Sequence, residues 1–238
     1  MTPQLQREFS ALAETLPGID RTVYAEYGKD PLVPIFGEGA ADAPLAFFGR
    51  DPGRDEVRHG LPFVGAGGQK IRAALHQHLY GQPLPDFAAS LEAGRPFFWA
   101  NTVPYKPIGN KAWSIKIKRQ FQPLVAELLL SHWQGQDIIT LGREAFFWFA
   151  LNQDKAVQAR LDAFWARDDR FERSVEMHLS ARAGGARTLR LHPLPHPSPL
   201  NATWYKHFPD LLAARLAQLK VSIDHAPCRD PGHDHGPA

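Results

Sequence analysis

Four short apolar runs, each bounded by turn-forming residues, punctuate the chain: Pro44 to Gly49 (PLAFFG), Pro96 to Val103 (PFFWANTV), Asp137 to Gly142 (DIITLG) and Thr188 to Leu194 (TLRLHPL). Runs this short and this apolar predict buried strands. Between them the period becomes helical. Gln69 to Leu79 sets Ile71, Ala74, Leu75 and Leu79 near one face, and Ile115 to Trp133 repeats the pattern over a longer span. Phe208 to Leu219 closes it with Leu211, Leu212, Leu216 and Leu219, and Leu5 to Leu16 adds an amphipathic segment near the start. Strands alternating with helices predict a three-layer α/β/α sandwich around a short, mostly parallel four-stranded sheet. Leu151 to Gly185 is rich in Asp, Arg and Gln and receives no element. The stretch from His225 (HAPCRDPGHDHGPA) is rich in Pro, Gly and His and reads as a disordered tail, leaving one domain over residues 1–224.

Sheets of this kind collect ligands at the carboxyl ends of their strands. The residues there are unusual: Gly49-Arg50-Asp51-Pro52-Gly53 after the first run, Asn101 to Pro107 at the end of the second, and Pro195 to Asn201 after the fourth. The third offers only Gly142-Arg143-Glu144, a turn into a helix. Taken singly, each has an ordinary structural use. Asp51-Pro52-Gly53 is good turn chemistry, His196 can bond a loop backbone, and Phe63 in Pro62-Phe63-Val64-Gly65 is by default a core aromatic. Their meeting at one sheet edge, Asp, Asn and His together with an aromatic, suits gripping a planar base and breaking its bond to a sugar. The ring stacks, the amide reads one edge, the His bonds an oxygen gaining charge, and the carboxylate stabilises an oxocarbenium-like sugar and orients water. No metal or other cofactor is needed.

Composition narrows the partners. The chain has 27 Lys and Arg against 25 Asp and Glu, a net charge of +2, so any attraction to nucleic acid must be local. Six basic and no acidic residues fall between Ala93 and Ala126 (Arg95, Lys106, Lys111, Lys116, Lys118, Arg119), and four between Met177 and Pro209 (Arg182, Arg187, Arg190, Lys206). Both windows include a candidate site loop, the arrangement expected for phosphate contacts. Tyr105, Trp113, Trp204 and Tyr205 stand beside these charges as candidate stacking residues. A single cysteine, Cys228, excludes a disulfide framework and an iron–sulfur cluster held by this chain's own cysteines. No apolar run reaches the roughly 18–20 residues that span a bilayer, and the opening MTPQLQREFSALAETLPG lacks the order of a signal peptide. The expectation is a monomeric, cytoplasmic, nucleoid-associated protein without a membrane partner.

The motifs Gly49-Arg50-Asp51-Pro52-Gly53, Gly60-Leu61-Pro62-Phe63-Val64-Gly65, Asn101 and His196-Pro197-Ser198-Pro199-Leu200-Asn201 resemble, in order and spacing, those of the uracil-DNA glycosylase superfamily, over about residues 35–220. The resemblance implies a monofunctional glycosylase acting on DNA that carries uracil or another damaged base, leaving an abasic site for downstream repair enzymes. It implies Asp51 as the water-activating acid and His196 as the group bonding the leaving base. Gly49, Gly53, Phe63 and Asn101 would form the base site, Leu200 the wedge into the vacated stack, and Ser198, Asn201, Lys106 and Lys111 DNA contacts. Two departures matter. The layout is similar to the thermophilic-type branch, whose four cluster cysteines are missing and whose glutamate is replaced by Arg50. Asp51 resembles the acid of the uracil-specific branch, yet Gly53 stands where that branch has a tyrosine that excludes a 5-methyl group. Two rivals follow: a diverged member that binds damaged or single-stranded DNA without cleaving it, and a nucleotide or nucleoside hydrolase on the same scaffold, which would leave the basic loops and Leu200 without a purpose.

Overall fold

The computed structural model describes residues 1–36 and 39–222; the proposed tail over 225–238 lies outside them. Among the described residues the middle layer is a five-stranded sheet of β1 (Leu45–Gly49), β2 (Phe98–Asn101), β3 (Asp137–Leu141), β4 (Val175–Ser180) and β5 (Ala186–Leu194), in spatial order β2-β1-β3-β5-β4. The four strands expected from the apolar runs are parallel to one another. The fifth, β4, runs antiparallel along β5 and corrects the count of four. It lies in the segment given no element because its pattern alternates: Met177 and Leu179 point inward while Glu176, His178 and Ser180 are exposed, so no continuous apolar run announces it.

Helices cover both faces, as the three-layer reading requires. In chain order they are α1 (Pro3–Glu14), α2 (Arg21–Glu26), α3 (Arg54–His59), α4 (Ala66–Tyr80), α5 (Phe87–Gly94), α6 (Ile115–His132), α7 (Arg143–Trp148), α8 (Lys155–Trp165), α9 (Ala202–Tyr205) and α10 (Phe208–Gln218). Alternation along β1 feeds two cores. Ala46 and Phe48 join one with residues of α1, α6, α7 and α8, while Leu45 and Phe47 join the other with residues of α4 and α10. No described helix is long and apolar enough to cross a membrane.

The first thirty-odd residues are tied to the loop that follows β2. The Asp20 N–H donates to the Lys106 carbonyl, the Ile108 N–H donates to the Gly18 carbonyl, and Ile19 bridges Pro107. Under this crossing the Lys106 side chain is buried, with Nζ 2.8 Å from Asp20 Oδ2 and 3.0 Å from the Pro107 carbonyl. That geometry removes Lys106 from the expected DNA contacts: its charge is already neutralised inside the protein, and desolvating a cation without such a partner would be costly. Tyr105 and Trp113 are likewise core residues, with the Trp113 indole N–H donating to the Tyr105 carbonyl, so neither can stack on a base.

Candidate active site

The parallel register sets Gly49, the last residue of β1, beside Asn101, the last of β2. Over this edge opens a cavity of about 460 Å³ whose wall includes Gly49, Asp51, Gly53, Phe63, Asn101, His196, Ser198 and Leu200. Eight of the candidate residues thus come together from three separate strand ends. Asn201 stands at its margin with its amide spent on the loop itself, donating to the His196 carbonyl at 3.1 Å, and Lys111 is exposed past Asn110 of the rim.

Three polar side chains face this cavity with hydrogen-bonding capacity unused among the described residues. The Asp51 side chain is 2% exposed, and neither carboxylate oxygen accepts an aligned hydrogen bond. Burial pushes its carboxyl up to about 7, opposed by the cations of Arg50 and Lys118 and reinforced by Glu144; the nearby Thr102 hydroxyl acts weakly to lower it. Asn101 is buried, and its amide makes no hydrogen bond among the described residues. His196 is partly buried with its ring unpaired. Burial, helped by Arg50 and opposed by Glu144, lowers it to about 4, so the imidazole is neutral at ordinary pH. Buried polar groups without partners are uncommon in folded proteins, and their gathering at one cavity makes it the candidate site.

Phe63 is held in a backbone conformation that side chains rarely adopt, with φ at 54°. Two residues outside the sequence-derived set hold it there. Glu56 on α3 is buried and accepts the N–H groups of Gly53 at 2.9 Å, Val64 at 3.0 Å and Gly65 at 2.7 Å, joining the Asp51 loop to the Phe63 loop. Arg72 on α4, fully buried, donates to the Phe63 carbonyl at 2.9 Å and the Pro62 carbonyl at 3.2 Å, with its guanidinium over the Trp99 ring. The Phe63 ring needs the space left by Gly49: a Cβ there would lie 2.5 Å from it. At Gly68 a Cβ would stand 2.0 Å from the Phe63 carbonyl oxygen, so α4 too can approach only through glycine. Glu56 was open to discovery from sequence, as an acid three residues after the Gly53 helix cap. Arg72 gave no signal, since a basic residue on an amphipathic helix is normally solvated.

Arg50 lies 3.1 Å through Nε from Asp51 Oδ2, off the line of a hydrogen bond, while its Nη2 donates to the Asn110 carbonyl at 3.3 Å and its Nη1 is 3.9 Å from Glu144. Glu144 also pairs with Lys118, which is buried and not on a solvated face. The basic footprint shrinks accordingly. Arg182 pairs with Glu8, Arg190 with Asp137 and Arg95 with Glu92, while Arg187 donates to the Leu129 carbonyl. Lys111, Lys116 and Arg119 remain exposed beyond the β2 loop, and Lys206 beyond the β5 loop. Trp204 packs edge-on against Phe171, and the Lys70 ammonium sits over the Tyr205 ring, so both aromatics have protein partners. No cluster of three His, Cys, Asp or Glu side chains suited to a metal occurs among the described residues.

Fold and cavity define an α/β protein with a polar cavity at the carboxyl edge of a parallel sheet and a buried carboxylate in its wall. The family model of the uracil DNA glycosylase superfamily matches residues 36–220, most of the chain, and the chain belongs to that superfamily. A search of curated proteins gives no match. Membership carries a DNA glycosylase-like function with DNA as the partner.

Proposed function

We propose that the protein hydrolyses the N-glycosidic bond of uracil, or of a 5-substituted uracil, in DNA. The observation that carries this is the convergence of Asp51, Asn101 and His196 on one cavity with Phe63 in its wall, the buried Asp51 carboxylate having no aligned hydrogen bond among the described residues. The extruded base stacks on Phe63, and the Asn101 amide donates to one edge atom while accepting from its neighbour. As the C1′–N1 bond breaks, its electron pair passes to the base, and the neutral His196 donates a hydrogen bond to the carbonyl oxygen where that charge collects. Asp51, ionised, faces the sugar cation and orients the water whose oxygen bonds to C1′; the water's proton leaves through the carboxylate. The base departs as an anion and is protonated in solvent.

Tolerance at the 5-position is supported by Gly53. It adds no side chain to the cavity wall, and apart from its chain neighbours a Cβ there would meet only Glu56 Oε2, at 2.9 Å. The proximity of Arg50 to Asp51 favours a second reading, in which the catalytic charge is masked and the protein binds damaged DNA without turnover. Single-turnover base release from oligonucleotides carrying uracil, 5-hydroxymethyluracil, hypoxanthine or xanthine separates the two. Release of the uracils that Asp51→Asn slows by ~10²–10⁴-fold supports excision. Base-dependent binding with no release from any substrate supports the second reading.

A further inference from the structure

Leu200 is 96% exposed on one rim of the cavity. Across the sheet edge, on the loop of β2, which β1 and β3 separate from the β5 strand that leads to Leu200, Ile108 stands between the wall residues Pro107 and Asn110, 55% exposed. An isolated exposed isoleucine is ordinary on a protein surface. What sets this one apart is how firmly its backbone is held. Its N–H donates to the Gly18 carbonyl at 2.9 Å, and its carbonyl accepts from Lys111 at 3.3 Å. The flanking Pro107 carbonyl is fixed by the buried Lys106 ammonium, and the Asn110 carbonyl by Arg50. Gly109 and Asn110 both have positive φ, at 64° and 55°, turning the chain so that the side chain between these anchors projects outward. A β-branched side chain also has few rotamers to lose on contact. Lys111, three residues further on, and Lys116 and Arg119 at the start of α6 are exposed cations available to phosphates.

Resting on the base-excision reading above, we propose that Ile108 is a second apolar contact to duplex DNA, packing on the flank of the extruded nucleotide opposite Leu200, so that the strand is gripped from both rims. DNA-distorting proteins commonly place an apolar side chain against unstacked bases at the minor groove. Because the Ile108 contact is apolar, it releases no counterions. It therefore has a signature that a phosphate contact lacks.

The test is fluorescence anisotropy with a duplex containing a tetrahydrofuran abasic analogue, measured over a range of salt concentrations, for the wild type and for Ile108→Ala, Lys111→Ala and Ile115→Ala. Ile115, at the start of α6, is 61% exposed and outside the cavity wall, and serves as the surface control. The expected result is an increase in Kd of about five- to tenfold for Ile108→Ala with an unchanged slope of log Kd against log salt. Lys111→Ala should flatten that slope, and Ile115→Ala should match the wild type; matched melting temperatures exclude misfolding. Wild-type affinity for Ile108→Ala, or a loss shared equally with Ile115→Ala, overturns the proposal while leaving the glycosylase reading intact. Failure of the wild type to prefer the abasic duplex over unmodified DNA overturns both.

Discussion

Asp51 carries a tension that measurements can read. A carboxylate must be charged to stabilise a sugar cation, yet burial holds this one near 7. Its ionised fraction therefore rises with pH through that value, while His196, lowered to about 4, stays neutral throughout. The single-turnover rate is expected to climb between about pH 6 and 8 and then level off. Arg50→Gln removes the largest of the lowering influences, so the midpoint of the climb moves to higher pH; a profile that stays in place rules out the Arg50 ion pair as a determinant. The same shift bears on stability. Between about pH 4 and 7 the folded protein retains a proton that the unfolded chain gives up, so this group makes the fold less stable as pH rises across the window. Asp51→Asn is thus expected to unfold at higher urea than the wild type at pH 8, by up to a few kcal/mol, with the advantage shrinking toward pH 4. The substitution expected to slow base release should make the better-folded protein.

Among the elements, α3 and the loops around it depend on Glu56. Its two oxygens satisfy three N–H groups drawn from the Asp51 and Phe63 loops. Glu56→Gln keeps one acceptor oxygen and turns an N–H donor toward the rest. The expected cost is about 1–3 kcal/mol in urea unfolding, with a raised KM for uracil-containing DNA as Phe63 loosens. The elements that showed in the sequence are those whose pattern is set by a single partner surface. Buried strands such as β1 and long amphipathic helices such as α6 carry it plainly. The short helix α3 has one apolar residue in six, and β4 spends half its positions on solvent, so each is stabilised by tertiary contacts that leave little local trace. The candidate residues that meet at the cavity were legible where loop chemistry was unusual, as at Asp51, Asn101 and His196. Lys106 was misread as a DNA contact because its partner, Asp20, is 86 residues away and no local pattern distinguishes a paired lysine from a solvated one.

For the molecule as a whole, sheet topology explains why residues so far apart in sequence meet. Parallel strands bring their carboxyl ends to one edge, and β1, β2 and β5 deliver their loops there without any loop having to reach across the domain. The stretch matched by the family model starts at residue 36, yet Leu5, Phe9, Ala13, Leu16, Ile19, Val23 and Tyr24 all belong to the core beside α6, and Asp20 neutralises the lysine under the β2 loop. A chain trimmed to the shared stretch would bare the Phe9 face of Phe121 and take from Lys106 both its Asp20 partner and the residues that cover it. Such a truncation is expected to lose its cooperative melting transition and accumulate in the insoluble fraction. The boundary of kinship and the boundary of the folding unit fall at different residues, and a deletion series read only by family would cut away the floor beneath the β2 loop.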